Sequence, residues 1–220
     1  MKIIDRLLRV TETIWQKYYS HPFVMGIQNG TLEKEKFRYY MIQDYLYLLD
    51  YGKVFAIGLT KAKNQAERTL FTAYLNSLNE YELDIHRGYF SELHITKEEL
   101  ENAKPSLDNL SYTSYMIRTA YEGSEAEALT AALACAVSYE YIAENIVKNN
   151  PDSIYHPFFG DWIKGYADEE YHNENIRLIH MLENMTIDYT EKQLQNLEEI
   201  FFICSRYELA FWEMAWQLKK

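Results

Sequence analysis

Apolar residues recur at steps of three and four along nearly the whole of this 220-residue chain, and no stretch alternates at period two over more than a few residues. The first pattern gives a helix one apolar face, whereas the second would mark a half-buried strand. Only 8 Gly and 4 Pro interrupt the pattern, too few for the frequent turns of a β-sandwich or β-barrel. The sequence therefore predicts an all-α bundle of roughly seven or eight helices, forming a single domain over residues 1–220.

Capping signals divide the chain into predicted helices. Asn64, Thr96, Ser124 and Thr190 each begin a pattern in which Glu or Gln follows three residues later, and this pattern starts helices. We expect helices over about 3–19, 31–62, 64–93, 108–121, 124–148 and 157–184, a short one after residue 96, and a last one from residue 190.

Charge and cysteine content exclude several classes of protein. Lys and Arg number 22 and Asp and Glu 33, so the formal net charge is −11 with neutral His. Such a surface repels phosphate backbones and anionic lipids, which argues against nucleic-acid and membrane-surface binding. The uncharged, Ala-rich stretch 128–139 is too short to span a bilayer, and from the charges within the first six residues we expect no signal peptide. Two cysteines make no disulfide scaffold, and we expect a soluble cytoplasmic protein.

Three polar side chains interrupt apolar stripes on different predicted helices. Asp44 is the only charge on its stripe, Glu208 breaks the stripe of the last helix, and Cys135 lies among small residues of an Ala-rich helix. Each also has a structural interpretation. The thiol can be a small core side chain, Asp44 can bond a tyrosine or a helix end, and Glu208 can pair at the surface with Arg206 or Lys219.

The chain also carries 20 tyrosines, more than a core alone needs. Buried phenols require hydrogen-bond partners, so the excess indicates an aromatic cavity with polar hydroxyl groups. A thiol, two carboxylates and aromatic walls in one small bundle are typical of a site for nucleophilic and acid–base chemistry.

Five segments resemble the thiaminase II family, also called TenA, and they occur in the family's order over essentially the whole chain. They are YMIQDYLY at 40–47, SYTSYM at 111–116, CxxxY at 135–139, WIKGY at 162–166 and YELAFWEMA at 207–215. The last segment is the most specific of the five. The chain departs from the family at Ala134, where Pro is usual, and at Ala143, where Gly is common.

The resemblance implies a haem-oxygenase-like helical bundle that assembles as a homotetramer. It further implies an aminopyrimidine aminohydrolase of thiamine salvage. Such an enzyme hydrolyses 4-amino-5-aminomethyl-2-methylpyrimidine, or thiamine, to 4-amino-5-hydroxymethyl-2-methylpyrimidine, and needs no cofactor or metal.

Site residues follow from the same resemblance. Cys135 is the expected nucleophile and Glu208 the expected general acid, with Tyr166 holding the Glu208 carboxyl. The other expected substrate-binding residues are Asp44 at the exocyclic amine, Tyr47 stacked on the ring, and Tyr112 and Tyr139 at the rim.

Two other classes of function remain open. A metal-dependent oxygenase on the same fold would use Glu-x-x-His pairs on facing helices. The chain offers Glu169-x-x-His172 and Glu82-x-x-x-His86, but no second Glu-x-x-His, and both pairs also suit an exposed helix surface. The third class is a non-catalytic binder or regulator of thiamine metabolism, because of the two departures from the family pattern.

Overall fold

Helices account for all the regular structure in the part of the chain that the computed structural model describes, residues 1–78 and 83–219. This confirms the predicted all-α class. The helices are α1 (Ile3–Ser20), α2 (Pro22–Gln28), α3 (Lys34–Lys61), α4 (Gln65–Ser77), α5 (Leu83–Glu92), α6 (Lys97–Asn102), α7 (Leu107–Glu122), α8 (Glu125–Asn149), α9 (Gly160–Tyr166), α10 (Glu169–Met185) and α11 (Glu191–Gln217), with a 3-10 turn at Pro151–Tyr155. Within these ranges no helix combines the length and the apolarity needed to cross a membrane.

The predicted capping signals are present. The side chains of Asn64 and Thr96 accept hydrogen bonds from backbone N–H groups three residues on, and Ser124 and Thr190 form complete capping boxes. These caps satisfy N–H groups that the first helical turn leaves without partners, so α4, α6, α8 and α11 begin where the sequence predicts. The helix predicted from about residue 31 begins later, at Lys34, with Glu33 in the N-cap position.

The described residues contain eleven α-helices, so the predicted seven or eight is wrong. Helix α2 was not predicted. Helix α1 ends at Ser20, close to the predicted end at residue 19. Pro22 occupies the first position of α2, where its missing N–H costs nothing, and the His21 side chain caps α2 by accepting a hydrogen bond from the Phe23 N–H. The predicted helix over 157–184 is two helices, because Asp168 caps the start of α10. The predicted helix over 64–93 corresponds to α4 and α5, and residues 79–82 lie outside the described residues.

Helix α8 brings the candidate residues together. It packs against α3, α7, α10 and α11, and its buried alanines allow close approach of these neighbours. Helix α3 carries Asp44 and Tyr47, α7 carries Tyr112, and α11 carries Glu208. Residues up to 164 positions apart along the chain therefore lie around the Cys135 segment of α8.

Candidate active site

A small cavity lies where α3, α8, α9 and α10 meet. Its volume is about 10 Å³, room for about one water molecule, so a ring-sized ligand would need the lining side chains to move. The lining residues are Asp44, Tyr47, Leu48, Tyr51, Cys135, Ala136, Tyr139, Tyr166 and Tyr171. Five of the seven expected site residues are thus neighbours. The other two, Tyr112 and Glu208, are buried but do not line this cavity.

The two cysteines occupy different environments. Cys135 lines the cavity and keeps 8% of its surface exposed, whereas Cys204 on α11 is 0% exposed. Burial raises the pKa of the Cys204 thiol well above its ordinary value, and the nearby Glu208 carboxyl adds to the rise. A reactive thiol needs both access and a thiolate, so the cavity favours Cys135 as the reacting group.

Asp44 is buried, at 3% exposed, and it is held by two side chains. The Tyr40 hydroxyl donates to its Oδ2 at 3.3 Å, and His86 Nε2 lies 2.9 Å from the same oxygen. His86 is 1% exposed, so the surface interpretation of this histidine is wrong. The partner suggested by the sequence, Glu82, lies outside the described residues. The sequence contains a signal for the burial of His86, because the apolar residues Tyr89 and Leu93 follow it at steps of three and four on one buried face.

A phenol network connects Asp44 to the opposite wall of the cavity. The Tyr40 hydroxyl also lies 3.2 Å from the Tyr139 hydroxyl, as an alternative acceptor for its hydrogen, and it accepts from Trp162 Nε1 at 3.2 Å. The ring of Tyr139 packs against Tyr166, with centroids 4.8 Å apart. This network satisfies buried polar groups, and it fixes the aromatic side chains around the cavity.

Glu208 is 2% exposed, and its electrostatic environment favours the neutral acid. The pKa of Glu208 is raised from 4.5 to about 8, mainly by burial and secondarily by the nearby Asp44 carboxylate, while the Tyr112 side chain opposes the rise. Glu208 is therefore mostly protonated at neutral pH and can donate a proton. The Tyr112 hydroxyl is buried, without a hydrogen-bond partner in the described part of the chain.

The Tyr112 phenol lies near Glu208, where it opposes the rise of the Glu208 pKa. Its ring stacks on Tyr207 with centroids 5.5 Å apart and packs against Tyr47 at 5.2 Å. Tyr166 lines the cavity, where it packs against Tyr139 and Tyr171. The expected role of Tyr166 in holding the Glu208 carboxyl stays a prediction.

Glu169 and His172, the Glu-x-x-His pair of the sequence, both lie at the protein surface. His172 contacts Glu140 of α8, and Glu169 is exposed. The potential ligand atoms of Glu140, Glu144 and His172 lie within 4.8 Å of one another, in a surface groove between α1, α8 and α10. Glu144 and His172 are exposed, and such clusters are common without a metal.

Comparison with known proteins identifies relatives over almost the whole chain. Residues 9–218 match the model of the TENA/THI-4/PQQC family. The chain is 44% identical over 220 residues to an aminopyrimidine aminohydrolase of Helicobacter pylori, covering 99% of this chain and 100% of the relative. It is also similar to a solved TenA homologue from P. horikoshii OT3, with a TM-score of 0.88 and 32% identity over 99% of both chains.

The fold extends to more distant proteins. A domain of unknown function from Shewanella denitrificans, described as having a heme oxygenase-like fold, aligns with a TM-score of 0.78 at 14% identity. The alignment covers 98% of this chain and 92% of that domain. This similarity confirms the haem-oxygenase-like architecture expected from the sequence.

Proposed function

The chain belongs to the TENA/THI-4/PQQC family, and we propose that it is an aminopyrimidine aminohydrolase. It replaces the amine on the exocyclic methylene group of an aminopyrimidine with a hydroxyl group. The observation that carries this proposal is the cavity itself, where the Cys135 thiol, the Asp44 carboxylate and the Tyr139 ring are neighbours. The 44% identical relative carries the same name.

The proposed substrate is 4-amino-5-aminomethyl-2-methylpyrimidine, with thiamine as a second substrate. The product is 4-amino-5-hydroxymethyl-2-methylpyrimidine, which makes this a reaction of thiamine salvage. We place the enzyme in the cytoplasm, in keeping with two buried cysteines that are not joined in a disulfide.

Cys135 starts the reaction. Its thiolate adds to the electron-poor ring carbon beside a ring nitrogen, forming a C–S bond and moving an electron pair onto the ring. The ring nitrogen takes a proton from Glu208, whose raised pKa keeps it in the acid form. The ring thereby loses its aromaticity and gains the electrons needed to expel a leaving group.

The second half of the reaction restores the ring. The amine on the methylene group is protonated at neutral pH, and it leaves as ammonia when the ring electron pair breaks its C–N bond. Water then adds to the methylene carbon and releases a proton. Departure of the Cys135 thiolate breaks the C–S bond, the ring nitrogen returns its proton to Glu208, and the aromatic ring is regenerated. The balance is substrate plus water giving alcohol plus ammonia, so no oxidant or reductant is consumed.

The aromatic walls and Asp44 orient the ring. Oδ2 of Asp44 is occupied by protein donors, while Oδ1 accepts no hydrogen bond from the described residues and is available to the exocyclic amine. Tyr47 presents a buried ring to the same cavity and supports stacking on the pyrimidine. Tyr112 sits behind Tyr47, beside Glu208.

Asp44→Asn is expected to lower kcat/KM by about 10-fold to 100-fold, the effect of losing a hydrogen bond to a charged group. The amide keeps the shape but removes the charge, so the melting temperature changes little. Asp50→Asn on the same helix is the matched control, since Asp50 pairs with Lys53 away from the cavity. Equal kinetics for Asp44→Asn and the wild type would remove Asp44 from substrate binding.

Product analysis of the wild-type enzyme tests the function. We expect stoichiometric ammonia and hydroxymethylpyrimidine from the aminomethyl substrate, with no oxygen uptake and no dependence on added iron. Oxygen-dependent turnover would favour the metal-dependent oxygenase. Tight binding of the aminopyrimidine without turnover would favour the non-catalytic binder.

We further propose a homotetramer. The structure leaves Leu107, Tyr155 and Ile187 largely exposed, and an assembly would cover such apolar side chains. Light scattering is expected to give about four times the 26.2 kDa chain mass at micromolar concentration. A monomer mass at that concentration would contradict the tetramer.

A further inference from the structure

We infer that His86 is a positioning residue for the reaction, holding Oδ2 of Asp44 so that Oδ1 faces the substrate. The inference rests on the proposed function, because it concerns the carboxylate that binds the exocyclic amine. It adds a residue from α5 to a site otherwise built by α3, α7, α8, α9, α10 and α11.

The contact between His86 and Asp44 is short, and both side chains are buried. His86 Nε2 lies 2.9 Å from Asp44 Oδ2, and the two side chains are 1% and 5% exposed. An ionised carboxylate only accepts hydrogen bonds, so Nε2 carries the hydrogen and donates. A donor fixed to one carboxylate oxygen removes the rotation about the Cβ–Cγ bond that would exchange Oδ1 and Oδ2.

The other donor to Asp44 is weaker and shared. The Tyr40 hydroxyl reaches Oδ2 at 3.3 Å and also lies 3.2 Å from the Tyr139 hydroxyl. A single hydroxyl hydrogen cannot serve both acceptors at once. His86 is therefore the main restraint on the orientation of the Asp44 carboxylate.

Helix α5 is anchored well enough to serve as a support for this restraint. One turn after His86, the Tyr89 hydroxyl donates to the Phe158 carbonyl at 2.8 Å and accepts from the Trp162 N–H at 3.0 Å. Near the end of the helix, Arg38 Nε donates to the Leu93 carbonyl at 3.2 Å. Because α5 is fixed at Tyr89 and at Leu93, His86 can hold the Asp44 carboxylate in the narrow range of positions that catalysis needs.

Two substitutions that differ only in reach test this role. The amide nitrogen of Gln reaches about as far as His Nε2, whereas that of Asn stops about one bond short. We expect His86→Gln to stay within about threefold of wild-type kcat/KM, and His86→Asn and His86→Leu to lose about 10-fold to 100-fold, as displaced catalytic groups do. The loss should fall mainly on KM, because Asp44 binds the ring throughout the reaction.

His21→Gln is the matched control. His21 is also a buried histidine paired with a carboxylate, Glu213, but it caps α2 away from the cavity. Its substitution is expected to change stability and to leave kcat/KM unaltered. If His86→Leu does not fold, the comparison of His86→Asn with His86→Gln still decides the question, since both residues are polar.

A double-mutant cycle separates positioning from a general structural effect. In an Asp44→Asn background, His86→Asn should lower kcat/KM by less than about a further threefold. The carboxylate that His86 positions is already lost in that background. If the wild-type enzyme turns over the substrate but His86→Asn has an unchanged KM, this inference alone is overturned. Fully additive losses in the double-mutant cycle of an active enzyme would overturn it in the same way. A wild-type protein that neither turns over nor binds aminopyrimidines would overturn the proposed function and this inference with it.

Discussion

Cys135→Ser is expected to lower kcat by at least about 100-fold, because an alcohol is a far weaker nucleophile than a thiolate at neutral pH. The substitution exchanges one atom at the wall of the cavity, so substrate binding and the melting temperature should change little. Steady-state kinetics with the aminomethylpyrimidine and with thiamine measure the loss. Both substrates should be affected alike, since both need addition to the same ring carbon.

Cys204→Ala is the matched control for the thiol. Cys204 is 0% exposed and lies one helical turn before Glu208, where it packs in the core. Its replacement is expected to cost stability through the small cavity it leaves, about 1 kcal/mol, with kcat within about threefold of wild type. Full activity in Cys135→Ser, or a comparable loss in Cys204→Ala, would contradict the assignment of the nucleophile.

Glu208→Gln is expected to lower the activity strongly and to raise the stability of the protein. It removes the proton donor, so kcat should fall by about 100-fold or more. It also removes a carboxyl group that is costly to bury, so the protein should become more stable. The pKa of Glu208 is about 8 in the folded protein against 4.5 for an ordinary carboxyl. At pH 7 this difference costs the wild type roughly 3 kcal/mol of the free energy of unfolding.

The sign of the pH dependence follows from the same shift. Because the folded-state pKa is raised, the folded state holds a proton that the unfolded state releases above pH 4.5. Wild-type stability therefore falls as pH rises from about 4.5 to about 8 and then levels off. Activity should decline as pH rises through about 8, where the acid form of Glu208 is lost.

Urea unfolding at several pH values measures this effect. The difference in the free energy of unfolding between Glu208→Gln and the wild type should grow between pH 5 and 8. Glu199→Gln, an exposed glutamate on the same helix, is the control and should show no such trend. A Glu208→Gln variant with wild-type activity, or with lower stability at pH 8 than the wild type, would contradict the assigned role.

The residues that sequence patterns identify best are those alone on an apolar stripe. Asp44 and Glu208 could be predicted because a single charge on such a stripe is costly unless the fold uses it. Cys135 could be distinguished from Cys204 only through the family resemblance. The two thiols differ in exposure because of how α8 packs against α11, and the sequence of one helix alone does not determine that packing.

Contacts between helices distant in sequence explain what sequence reasoning missed. His86 looks like half of a surface pair within its own helix, and its partner lies 42 positions earlier on α3. The proximity of Tyr112 to Glu208 likewise depends on the packing of α7 against α11, which the sequence of neither helix contains. The break between α9 and α10 depends on the cap at Asp168, a residue that also occurs within helices.

The central claim, hydrolysis through a covalent adduct on Cys135, is tested most directly by mass spectrometry of enzyme quenched during turnover of the aminomethylpyrimidine. We predict a species heavier than the free enzyme by the substrate minus ammonia, located on the peptide that contains Cys135 and absent from Cys135→Ser. It should form and decay at rates compatible with kcat. Turnover at the normal rate with no adduct at Cys135, or with the adduct on Cys204, would contradict the account.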